Sequence, residues 1–162
     1  MKGVGVVLQD LHDAEVHLHL ELQRIGERHA ADHEIAHVVR DLAAWSADHV
    51  ERLAGEARRF GLELDSAAPA TNPLAAGVRR KSSELLGRRH ASAVLLVNDL
   101  RQLFGQVSLV HLDWVLLGQL AQATRDESLL SVSESCRAET ERQLTWTEAR
   151  LKESVVQAMA TP

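Results

Sequence analysis

The chain has 162 residues, 45% of them hydrophobic and 25% charged, with a net charge of −5, a make-up that suits one ordinary globular domain with room for a useful core. The negative balance argues against nucleic acid as a main partner, because phosphate binding needs a concentrated positive surface. A lone Cys136 rules out an internal disulfide framework, and no charged-then-apolar leader or uninterrupted apolar run of membrane-spanning length occurs, so a cytoplasmic protein without a membrane partner is expected.

The prolines stand at 69, 73 and 162, Tyr is absent and aromatics make up only 3%. Long stretches therefore lack a helix breaker and little favours a sheet, so the chain reads as all-α. The first element covers about residues 3–28. Leu8, Leu11, Leu18, Leu22 and Ile25 recur at steps of three, four or seven, on one side of a helix, and Glu15 completes the series. The stretch VHLHLEL alternates like a strand, but no turn residues bound it. The second element, about 30–60, carries Ile35, Val38, Leu42, His49, Leu53 and Phe60 on one face. Only a tight connection near Arg28–Ala31 separates the two, which predicts an antiparallel hairpin.

Small and turn-prone residues then gather in GLELDSAAPATNPLAAG, residues 61–77, followed by a short helix expected at about 74–87. The third long element, about 91–124, presents Leu96, Leu100, Leu103, Val107, Val110, Trp114 and Leu117. The fourth, about 126–158, begins after TRDES, where Thr124 or Asp126 can cap it. Helices of some thirty residues are about 45 Å long, and their apolar faces can bury only against one another. A short loop, a linker at about 61–90 and another short loop match a four-helix bundle with one long crossover between helices 2 and 3, as in ferritin-like folds. The whole chain, 1–162, is then a single domain.

In such a bundle the inward polar residues carry the information. Glu15 sits in the first apolar stripe, and His49 occupies the series Ile35, Leu42, His49 in the second. In the fourth helix one candidate stripe is Val132, Cys136, Glu139 and Gln143, and another is Cys136, Thr140, Thr147 and Leu151. Inward carboxylates and imidazoles on facing helices are how dimetal sites for Fe or Mn are built in this architecture. A metal-free account is equally available: Glu15 and His49 hydrogen-bond each other, or Ser46 or Thr140, and fix helix register.

LQDLHDAEVHL, with Leu8, Asp10, Ala14, Glu15 and Leu18, followed some thirty residues later by SADHVERL, with His49, Val50, Glu51, Arg52 and Leu53, resembles the bacterial ferritin-like stress-protein family of YciF type. LVHLDWVLLGQL is similar to that family's third-helix pattern Val-Glu-His-Tyr-Glu, with His111 retained and Asp113 in place of the last Glu; Glu139 matches an acid of the fourth helix. The resemblance implies a ferritin-like fold, a homodimer, and Fe or Mn bound by Glu15, His49 and Glu139 with help from His111 or Asp113, in an oxidative or general stress role. The chain departs from the pattern at Val110, Trp45 and Gln143, each standing where the family has an acid, and the second helix reads Ser46-x-x-His49 where dimetal bundles have Glu-x-x-His. The alternative expectation is therefore a metal-free helical scaffold that dimerises or binds a protein partner, with the old site refilled by Val110, Trp45 and neighbouring side chains.

Other signals are read structurally. Glu34-Ile35-Ala36-His37 is a literal Glu-x-x-His, but with Ile35 on the core face His37 lies about 200° away and faces water. The row His33, His37, Asp41 could pick up adventitious metal and the run Arg79, Arg80, Lys81, Arg88, Arg89 could form a basic patch, but both read first as solvated faces. His12 and His19 lie one turn either side of Glu15 while His17 points away, and nothing singles out haem or hemerythrin-type ligands. Trp45, Trp114 and Trp146 are packing residues. No phosphate-cradling Gly loop and no nucleophile–base pair is present.

Overall fold

The structure, a computed structural model, describes residues 2–70 and 89–160. Four helices pack against one another: α1 (Lys2–Arg28), α2 (His33–Arg59), α3 (Arg89–Thr124) and α4 (Glu127–Ala160), with no strand among the described residues. The short helix expected at 74–87 lies outside the described residues.

The helix ends follow from local chemistry. α2 starts at His33, later than the periodicity suggests, because Asp32 is its N-cap: the carboxylate accepts the Ile35 N–H at 3.1 Å. At the other end the Leu62 N–H reaches the Ala57 carbonyl and the Gly61 N–H the Arg58 carbonyl, both at 3.1 Å, with Gly61 at φ +75°. This is a Schellman stop, and glycine fits it because the left-handed conformation costs it nothing. α3 ends the same way, with Arg125 at φ 54°. Asp126 then caps α4 by accepting the Leu129 N–H at 3.0 Å, which decides between the two expected caps.

Side-chain pairs fix the directions. His19 meets Ala43 and Gly26 meets Val39, so α1 and α2 run antiparallel. Glu15 meets Trp114 while Arg28 meets Asp99, so α1 and α3 are antiparallel too. Along α2 and α4 a polar ladder runs from Arg59–Asp126 through Glu56–Ser128, Arg52–Ser135 and Ser46–Gln143 to Asp32–Arg150. α2 thus ends beside the start of α4, and α3 begins beside the α1–α2 turn, so the 61–88 connection joins opposite ends of the bundle. Its described beginning lies along α1: Leu62 packs on Gly5, and His12 Nε2 donates to the Asp65 carbonyl at 2.7 Å.

The core is built from Leu8, Leu11, Leu18, Leu22 and Ile25 of α1, Ile35, Val39 and Leu53 of α2, and Leu100, Leu103, Val107, Trp114 and Leu117 of α3. Val39 takes the buried place expected of Val38, which is only partly buried. α4 contributes little of this kind. Its inner stripe is Leu129, Ser133, Cys136, Thr140, Gln143 and Thr147, a merger of the two candidate stripes. The hydroxyls of Ser133, Thr140 and Thr147 donate to carbonyls of their own helix, which makes their burial tolerable. The stretch Ser92–Thr124 of α3 is long and apolar enough to cross a membrane by length and composition, yet only 28% of its most apolar window is buried in the bundle.

Candidate functional site

At one level of the bundle each helix contributes a polar group. Glu15 enters from α1 and His49 from α2, both fully buried, Trp114 from α3, and Glu139 from α4 with a side chain 25% exposed. His49 lies between the carboxylates: Nδ1 is 2.8 Å from Glu15 Oε1 and Nε2 is 2.8 Å from Glu139 Oε2. The Trp114 indole N–H donates to the same Glu15 Oε1 at 2.7 Å, and its ring meets the imidazole edge-on at 5.5 Å.

With Glu15 and Glu139 ionised their oxygens can only accept, and both ring nitrogens of His49 then carry hydrogen as an imidazolium. Burial by itself pulls His49 towards the neutral form. Hydrogen bonding to Cys136 and Glu15, together with the charge of the Glu15 carboxylate, outweighs burial and holds His49 at about 11 against an ordinary 6.5. Arg52 stands beside this group, with Nη1 at 2.8 Å from Ser135 Oγ and 4.0 Å from Cys136 Sγ. The cluster can hold a buried positive charge and link surface-reaching Glu139 to fully buried Glu15 through one ring. On the other side Trp114 floors an open groove of about 230 Å³ between α3 and α4, also lined by Gly118, Ser133 and Arg137.

The structure therefore brings together three of the five expected ligands, Glu15, His49 and Glu139, and leaves His111 and Asp113 on opposite flanks of α3. His111 Nε2 is buried without a hydrogen-bond partner. Asp113 is pushed up by burial and then by the charge of Asp10, so it faces the α1 side. Ser46 and Thr140, the other expected partners, are used elsewhere: Ser46 accepts from Gln143, and Thr140 bonds within its helix. His37 is exposed as expected, 3.7 Å from Asp41. His12 and His19 each donate to a backbone carbonyl, Asp65 and Ala43 respectively, which accounts for their burial.

Two features escape a reading of the sequence. Trp114 looks like packing, and only the rule that a buried indole N–H needs an acceptor hints at its bond to Glu15. Asp99 is buried where α3 meets the α1–α2 turn and accepts from Arg28 at 2.8 Å and His29 at 2.8 Å, with Arg24 at 3.4 Å. Burial pushes its carboxyl up, but the His29 hydrogen bond and the two guanidinium charges hold it below the ordinary range. Arg24, Arg28 and His29 are close together in the sequence, but the residue they meet depends on tertiary register.

These residues, as placed, do not fit a two-metal centre. The imidazole ring separates the two carboxylates with both its nitrogens engaged by them, and Ser46, Trp114 and Gln143 face the midsection where acids would be needed. Among the described residues no three His, Cys, Asp or Glu side chains converge as a metal-holding group. One atom points the other way: Glu15 Oε2 is buried without a hydrogen-bond partner, the kind of acceptor a cation would satisfy. No family model, curated protein or solved structure matches the chain.

Proposed function

We propose that the chain is a metal-free helical scaffold of ferritin-like type, an interaction protein in which a protonated histidine occupies the place where a metal-bearing bundle holds its cations. One observation carries this reading: the two ring nitrogens of His49 lie 2.8 Å each from carboxylates on two different helices. The proton supplies the positive charge that two inward acids require, and its two bonds set the register of α1, α2 and α4. The ferritin-like part is supported by the direction of the helices and by the connection between opposite ends of the bundle. The stress role implied by the resemblance finds no support in this geometry and forms no part of the proposal.

The competing reading, residual Fe or Mn binding, draws on the orphaned Glu15 Oε2. Elemental analysis after anaerobic loading with Fe(II) and Mn(II) and desalting, on wild type and Glu15→Ala in parallel, separates the two. Folded wild type that retains no metal is expected. Near-stoichiometric metal that disappears in Glu15→Ala would overturn the scaffold reading.

A further inference from the structure

α3 differs from its neighbours on its outer side. Between Gln102 and Thr124 the only Asp, Glu, Lys or Arg is Asp113. Core-facing Leu103, Val107, Val110, Trp114 and Leu117 account for one side of the helix. Roughly 160° round from them, at 100° per residue, lie Gln102, Gly105, Leu109, Leu112, Leu116 and Gln119. Leu109 is 65% exposed, Leu112 50% and Leu116 53%. Their spacing alternates three and four, which is the seam of a coiled coil. The outer sides of the other helices carry exposed charges such as Asp10 and Asp13 on α1, Arg40 and Asp41 on α2, and Glu141 and Lys152 on α4.

We propose that this seam is a docking surface for a second copy of the chain, joined through antiparallel α3 helices about a two-fold axis. The spacing reads the same in both directions. An antiparallel pair centred between Leu109 and Leu112 sets Leu109 against the partner's Leu112, Leu116 over the partner's Gly105, and Gln102 beside the partner's Gln119. The residues suit this pairing: Gly105 is an open notch, since a Cβ there would meet nothing within 4 Å, and the leucine opposite supplies the knob. Glutamines at both ends can hydrogen-bond as a pair. An uncharged seam gives a charged partner nothing to pair with, and its palindromic spacing, with the Gly105 notch facing a leucine knob, makes it complementary to itself, the requirement of an isologous two-fold contact. At about 27 Å long and one helix wide, it is smaller than a standard permanent interface, so the dimer is reversible and depends on concentration. The seam stands whether or not the midsection holds metal, so this inference and the scaffold reading fail separately.

The test is sedimentation velocity of the full chain across a concentration series. A dimer fraction that rises with concentration is expected, together with its loss at every concentration in Leu109→Glu/Leu112→Glu, with circular dichroism and Tm unchanged because these leucines do not belong to the core. Register is read by oxidising a mixture of Leu109→Cys and Leu112→Cys chains, each also carrying Cys136→Ser; the mixed disulfide should exceed either homodimer. A wild type that stays monomeric, or a double variant that still dimerises, overturns the proposal. So does a monomeric wild type whose Tm falls in the double variant, which assigns the stripe to another part of the same chain, and so does wild type that stays monomeric but sediments with phosphatidylcholine vesicles, which assigns it to a lipid surface.

Discussion

Trp114 donates its indole N–H to Glu15 at 2.7 Å, on the oxygen that also accepts from His49, so one buried carboxylate oxygen ties α3 to α1 and α2. Trp114→Phe keeps most of the packing and removes the donor. The expected cost is about 2–4 kcal/mol, combining a lost hydrogen bond to a charged group with a small cavity. Urea denaturation followed by circular dichroism measures it, and the variant should still fold.

Removing His49 leaves the inward carboxylates without their cation. His49→Ala should cost about 3–5 kcal/mol, the usual penalty for breaking a buried ion pair from one side. Exchanging both partners, in Glu15→Met/His49→Leu, should recover part of that, because no fully buried charge is then left unpaired: Glu139 reaches solvent, and the Trp114 indole N–H alone loses its buried acceptor. Denaturation midpoints of the two single variants and the double variant give the coupling directly. A double variant as unstable as the sum of the singles would contradict the imidazolium account.

Stability should peak in mildly acid solution. His49 is held at about 11 when folded against 6.5 when unfolded, so its contribution is complete below 6.5 and is lost as pH rises towards 11. Asp99, with its His29 and arginine partners, and Asp126, which accepts the Leu129 backbone N–H and the Arg59 guanidinium, lie below 3.8 when folded. Their contribution is complete above 3.8 and is lost as pH falls through the folded values. Asp113, pushed up, acts in the opposite sense and weakly. Urea midpoints across pH should therefore be highest between 3.8 and 6.5, and the alkaline decline should flatten in His49→Gln.

The helices were legible in the sequence because their signal is periodic and local: Leu8, Leu11, Leu18, Leu22 and Ile25 announce a buried face that tertiary packing then uses. Glu15 and His49 were legible as inward for the same reason. What they do there was not, because it depends on which residue of another helix arrives at the same level. Trp114 and Glu139 lie 99 and 90 residues from their partners in sequence, and no spacing rule spans such a gap. The start of α2 was misplaced by a few residues because Asp32 caps it, an event of local hydrogen bonding that periodicity does not register.

Asp99 closes the turn end of the bundle. Asp99→Asn retains the shape but removes the charge that Arg24, Arg28 and His29 surround. A loss of about 3 kcal/mol is expected, which for a domain of this size corresponds to roughly 6–12 °C in Tm. Differential scanning calorimetry reads both, and the midsection should be undisturbed, so that its effect adds to that of Trp114→Phe.

The connection between opposite ends of the bundle bears on how the chain folds. α1 with α2, and α3 with α4, each close through a turn of a few residues, and such hairpins form early because little chain entropy is lost. A long connection sets neither the tilt nor the level at which one hairpin meets the other. Alignment falls to the polar rungs between them, Asp99 with Arg28, Trp114 with Glu15, His49 with Glu139, and Arg59 with Asp126. The slow event is then the docking of two preformed hairpins, and rungs that engage only after docking act as a latch: cutting one should speed unfolding far more than it slows refolding.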